Sequence, residues 1–117
     1  MLKIKSQELT TKELKNFIDA EHKRMLERWH ENKKIRTMAR TIKLMEELGE
    51  LCNEIMAYNT EQRKEKMHPK NSKNLANEFA DVIIVTLLLA ENVNIDVYRA
   101  LKNKIKKIEK RWKDSEY

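Results

Sequence analysis

Apolar residues along this chain return every three or four positions, the period of helices buried along one face. Leu14, Phe17, Ile18, Met25 and Leu26 form the first stripe. Thr10 stands ahead of it as an N-cap, Glu13 completes a capping box, and Leu9 and Leu14 fall at the staple positions. This helix is expected to end between Trp29 and Lys33. A second helix is expected from about Ile35 to Thr60. Its core face would be Ile35, Met38, Ile42, Met45, Leu48 (or Gly49), Cys52, Ile55 and Met56. Gly49 within it costs about 1 kcal/mol against alanine, which a close helix crossing would explain. The polar segment Glu61 to Lys73 contains Pro69 and reads as the one long connection. The third helix spans roughly Leu75 to Glu91, started by Ser72 or Asn74. It is apolar on nearly every side after Asp81, and such a helix requires cover all round. In a chain of 117 residues this implies a partner subunit as well as the chain's own helices. Asn92-Val93-Asn94 forms a short turn. Asn94 is the expected cap of a fourth helix from Ile95 to about Lys113, with Asp96 favourable in its first turn. The pattern predicts an all-α, antiparallel four-helix bundle-like fold.

Composition narrows this picture. Residues 1–117 are read as one domain. A single glycine and a single proline argue against turn-rich sheets and for long helices. The net charge is +6, from 25 basic and 19 acidic residues. That excess suits nucleic acid, an anionic surface or a phosphorylated small molecule, and equally an ordinary lysine-covered exterior. Cys52 is the only cysteine, which excludes an intrachain disulfide and a cysteine-based zinc cluster. Its register makes it a core thiol. The N-terminus has no signal-like apolar stretch. The longest mostly apolar run, Phe79 to Ala90, is twelve residues and contains Asp81, against the roughly 20 that a membrane span needs. These features point to a cytoplasmic protein without a membrane partner.

The chemistry lies in the carboxylates. "MEELGELCNEI" carries Glu46, Glu47 and Glu50, and "NEFADVIIVTLLLA" carries Glu78 and Asp81. Glu47 and Glu50 are separated by three positions, as are Glu78 and Asp81, so each pair shares a helix face. If the two helices pack antiparallel, four carboxylates converge. Unneutralised, they repel one another and raise their own pKa values; magnesium is the usual cation for clustered carboxylate oxygens. The competing reading is a solvated acidic face, with pairing to a lysine such as Lys43. Asp81 weighs against it, because an acid bordering the most apolar run of the chain needs a partner. His22 and His68 lack metal-ligand spacing and are read as surface residues.

The order Glu-x-x-Glu, 27 intervening residues and Glu-x-x-Asp resembles the signature of the MazG-like all-α nucleoside triphosphate pyrophosphohydrolases. The likeness runs from about Thr37 to Trp112. It implies a MazG-type oligomeric fold in which Glu47, Glu50, Glu78 and Asp81 hold Mg2+, with Mn2+ as a substitute. Glu46 is then an adjacent carboxylate for a second ion or for positioning water, and Glu46 or Glu50 orients the attacking water. The implied reaction is hydrolysis of a nucleoside triphosphate between its α and β phosphates. Lys104 and Arg111-Trp112 resemble the family's basic and aromatic ending and imply a triphosphate clamp. Ile108 stands where that ending would have asparagine, so one polar contact is missing or supplied elsewhere. Trp29 and His30 lie in the region that such proteins use for the base. A homodimer or homotetramer is the implied assembly.

Two other readings stand beside this one. Phosphoribosyl-ATP, dUTP or dCTP hydrolysis would use related acidic helices. A helical interaction or nucleic-acid-binding module would need no catalysis. No helix-turn-helix signature supports specific nucleic-acid recognition, and an acidic face would repel a phosphate backbone.

Overall fold

The capping box at Thr10 forms as its spacing requires. The Thr10 hydroxyl accepts from the Glu13 N–H at 3.1 Å, and the Glu13 carboxylate accepts from the Thr10 N–H at 3.0 Å. These bonds satisfy otherwise orphaned donors at the start of α1, Thr11–Arg28. The computed structural model describes residues 7–64 and 69–114, with the side chains of 61–64 and 69–73 excluded. Three further helices follow: α2, Lys33–Lys64; α3, Pro69–Asn92; and α4, Val97–Lys113. Among the described residues there is no strand. None of the described helices is long and apolar enough to cross a membrane.

Several boundaries differ from expectation. The polar stretch Glu61 to Lys73 is not one loop: α2 continues to Lys64 and α3 begins at Pro69. Proline is well placed to open a helix, since its missing N–H would have no partner there. Ser72 and Asn74 therefore lie inside α3 rather than capping it. His68 lies outside the described residues. Asn94 does not cap α4; it takes the left-handed conformation, φ 60°, beyond the end of α3. The Ile95 N–H reaches the Ala90 carbonyl at 2.9 Å and the Asn94 N–H the Glu91 carbonyl at 3.2 Å, closing α3 as a Schellman motif. Asp96 becomes the N-cap of α4, accepting from the Arg99 N–H at 3.1 Å.

The buried core is small. Ile18, Leu87 and Leu88 form its centre, with Leu14, Met25, Ile84, Val97 and Tyr98 packed against them. Helix α3 is the middle layer, packed along α2 and against α1. Arg36 and Thr37 meet Asn92, and Arg40 meets Leu88, so sequence position rises along α2 as it falls along α3. The two helices are antiparallel. Their shared face is not the expected apolar stripe. Met38, Ile42, Met45, Leu48, Cys52, Ile55 and Met56 are exposed within the chain. Met45 retains 68 % of its surface. The face α2 turns inward runs through Arg40, Leu44, Glu47, Leu51, Glu54 and Tyr58. It has the same helical period but alternates polar with apolar residues, so a search for hydrophobicity favours the wrong face. Cys52 is accordingly an exposed thiol, not a core one. Phe17 on α1 is also largely exposed.

Polar residues enter this face because α3 partners them. Arg40, only 5 % exposed, donates through Nη1 to the Leu88 carbonyl at 2.7 Å. The same nitrogen lies 3.0 Å from His22 Nδ1. His22 is therefore half-buried and bonded rather than a surface residue. Burial and the Arg40 charge push its imidazole below the ordinary value, which leaves it neutral and able to accept. Asn92, 3 % exposed, accepts from Arg36 Nε at 3.0 Å and donates to the Thr37 hydroxyl at 2.7 Å.

A Cβ added at Gly49 would meet no atom of the described residues within 4 Å. The close crossing expected there is absent from the subunit. Gly49→Ala is expected to stabilise the isolated chain by about 0.5–1 kcal/mol through helix propensity, read as a higher urea midpoint at unchanged slope.

Candidate functional site

The inward face of α2 carries Glu47, and Glu50 follows one turn later. Glu78 projects from the facing turn of α3. One carboxylate oxygen from each of these residues lies within 4.8 Å of the others. Glu47 is 7 % exposed, Glu78 is half-buried and Glu50 faces solvent. Asp81 is exposed one turn further along α3 and is not within that group of oxygens, although its charge acts on Glu78. Glu46 is exposed beside Glu47, turned about 100° around the helix by the α-helical period.

The cluster is poorly compensated by the protein. Lys43 Nζ meets Glu47 Oε1 at 3.0 Å from the preceding turn. That hydrogen bond and the charge of Glu47, with smaller effects from Glu46 and Glu50, push the Lys43 ammonium above its ordinary value. Among the described residues, Glu47 Oε2 and Glu78 Oε2 are buried without a hydrogen-bond partner. An anionic oxygen removed from water and left unpaired is strongly unfavourable. Burial first, then the charges of Glu50, Asp81, Glu47 and Glu54, push the Glu78 carboxyl above its ordinary value. Glu54 was not singled out in the sequence. Its signal was its position two turns beyond Glu47 on the same face, a face recognisable only once α3 is seen against it. Paired orphan oxygens beside a third carboxylate fit a hard divalent cation, which takes oxygen ligands and supplies the missing positive charge.

This electrostatic state has a pH signature. A raised carboxyl pKa means that the folded protein holds the Glu78 proton more tightly than the unfolded chain. The favourable contribution is fully present below the ordinary carboxylate pKa and is lost as pH rises through the raised value. Denaturation in chelator across about pH 4 to 7 is expected to show this loss in wild type relative to Glu78→Gln. Magnesium is expected to abolish the difference at the upper end.

The remaining expected residues are placed unequally. Trp29, at the C-cap of α1, lines a cavity of about 220 Å³ with Met25, Arg36, Arg40 and Lys43. His30 is exposed and is not among its lining residues. Lys104 and Arg111 are exposed on α4, whose Val97 and Tyr98 pack against the core at its first turn.

A model of the MazG-like family matches residues 38–116, covering nearly all of α2 and the whole of α3 and α4. No curated protein and no solved structure matches the chain.

Proposed function

Because this chain belongs to the MazG-like family, whose activity is of the nucleotide pyrophosphatase kind, we propose that it is a magnesium-dependent nucleoside triphosphate pyrophosphohydrolase. The observation that carries this reading is the pair of buried, unpartnered oxygens on Glu47 and Glu78, beside Glu50. Glu47, Glu50 and Glu78 would hold the ion, with Asp81 joining them from the next turn of α3. When bound, magnesium supplies positive charge to the phosphate oxygens and the departing pyrophosphate.

Glu46 or Glu50 orients the attacking water and takes its proton. The water oxygen bonds to the α phosphorus, the bond from that phosphorus to the α–β bridging oxygen breaks, and the bridging oxygen departs with pyrophosphate. The products are a nucleoside monophosphate and pyrophosphate. No protein nucleophile is needed. Lys43 already screens Glu47 and is positioned to meet substrate phosphate when a cation takes over that task. The active form is a homo-oligomer, in which Lys104 and Arg111 serve the carboxylates of a neighbouring copy.

Pyrophosphate release from a panel of canonical and modified nucleotides, with and without magnesium, tests the proposal. The panel includes phosphoribosyl-ATP, dUTP and dCTP. Turnover that requires magnesium is the expected result. No turnover on any of them, together with no metal-linked thermal shift, would overturn the enzyme and leave a helical interaction module.

A further inference from the structure

The positive charge of this chain is concentrated in one helix. The 17 residues of α4 carry eight basic side chains and one acidic one, a net +7. The whole chain carries +6, so its other 100 residues together carry −1. Arg99, Lys102, Lys106, Lys110 and Lys113 follow one another at steps of three or four, which places them in one stripe. All five are exposed. The stripe runs about 21 Å along the helix axis, with a cation about every 4.5–6 Å. Among the described residues, only Lys110 of the five has an ion-pair partner, Asp114 at 2.9 Å.

Helix stability does not account for this stripe. Cations in the last turn suit the helix macrodipole, which explains Lys110 and Lys113. Arg99 stands in the first turn, where the dipole disfavours a cation. Lys102 and Lys106, and Lys106 and Lys110, are like charges four residues apart, an arrangement that weakens a helix. An anionic partner would remove both penalties.

The chemistry of the stripe selects among such partners. The apolar residues Leu101, Ile105 and Trp112 lie about 120° round the helix from it. A second copy covering that apolar face leaves the cations in water. No aromatic side chain lies on the stripe, so it lacks the stacking platform that holds single strands. Four of its five cations are lysines, point charges suited to phosphate rather than to forked contacts with base edges. A duplex presents about one negative charge per 1.7 Å of its axis, a dense line of anions for a straight line of cations. The carboxylates that would repel such a backbone lie on α2 and α3, not on this helix.

We propose that this face of α4 binds duplex nucleic acid through its phosphate backbone, without reading sequence. The inference is independent of nucleotide hydrolysis, because none of the five residues belongs to the carboxylate site.

Fluorescence anisotropy of the full chain with labelled duplexes of about 20 base pairs, DNA and RNA in two unrelated sequences each, tests this. Binding is expected to be equal for the two sequences and to fall about a hundredfold between 50 and 200 mM salt, the dependence of roughly four phosphate contacts. Binding of either duplex supports the inference, and the tighter of the two identifies the backbone. Arg99→Gln, Lys102→Gln, Lys106→Gln and Lys110→Gln combined is expected to weaken binding about tenfold or more at 50 mM and to flatten the salt dependence. A control with the same loss of charge at exposed lysines elsewhere, Lys12→Gln, Lys23→Gln, Lys33→Gln and Lys34→Gln combined, is expected to bind as the wild type does. Lys106→Gln alone is expected to lower the salt slope by about one, which keeps the test decisive where the fourfold α4 variant loses helix. Equal weakening of the two fourfold variants, tighter binding to a single strand of the same length, or no binding at 50 mM salt overturns the inference. So does binding to phosphatidylserine vesicles without binding to either duplex, which reassigns the face to a membrane surface.

Discussion

Glu47→Gln is expected to slow magnesium-dependent pyrophosphate release about a thousandfold, equivalent to about 4 kcal/mol of transition-state stabilisation. The substitution keeps the side chain's size and removes its charge. Glu47 is the most buried member of the cluster, and one of its oxygens has no partner among the described residues. It therefore contributes most to holding a cation and least to the stability of the ion-free fold. Two measurements separate these roles. The thermal shift on adding magnesium should disappear in Glu47→Gln. The melting temperature in chelator should hold or rise, because a buried carboxylate has been neutralised. Asp81→Asn extends the test to the residue that stands outside the group of close oxygens. It is expected to abolish turnover with helicity intact. An Asp81→Asn protein that is fully active at ordinary magnesium would reduce the ligand set to Glu47, Glu50 and Glu78.

The second large effect is expected from Leu101→Asp combined with Ile105→Asp: dissociation of the assembly into monomers at micromolar concentration, with loss of activity. Helix α4 is a 17-residue helix with no buried residue of its own. A helix of that length is marginal in water without tertiary packing. Leu101, Ile105 and Trp112 are exposed apolar residues on it, and Met38, Ile42, Met45 and Met56 on α2 form a second uncovered surface. Burial of apolar surface is worth about 25 cal/mol per Å², so two such faces strongly favour association with another copy. Sedimentation of the wild-type protein should show a dimer or larger, and circular dichroism of the double variant should show lost helix. A wild-type monomer at micromolar concentration would overturn this account, and with it the assignment of Lys104 and Arg111 to a neighbouring site.

Local signals in the sequence are legible where the physics is local. Thr10 and Glu13 start α1 because a hydroxyl and a carboxylate three residues apart satisfy each other's backbone N–H groups. The end of α4 at Lys113 was legible in the same way. The acidic pairs could be paired by spacing alone, since residues three apart share a face on any helix. The start of α3 is not legible in this way because a polar run looks like a loop, whereas α2 and α3 carry their helices into it, to Lys64 and from Pro69.

By itself, then, the sequence determined the all-helical character, the Thr10–Glu13 capping box and the shared helix face of each acidic pair, all consequences of spacing and backbone chemistry within a turn or two. Only the tertiary structure decided which face of α2 meets α3. Two faces of that helix share one period, and the more polar one turns inward because α3 supplies hydrogen-bond partners far away in sequence: the Leu88 carbonyl for Arg40, and Asn92 for Arg36 and Thr37. The same choice left Met45 and Cys52 outside, brought Glu54 within electrostatic reach of the cluster, and placed Glu31 and Arg40 in one cavity. Hydrophobicity ranks faces by transfer energy; hydrogen bonds across the helix pair reversed that ranking here.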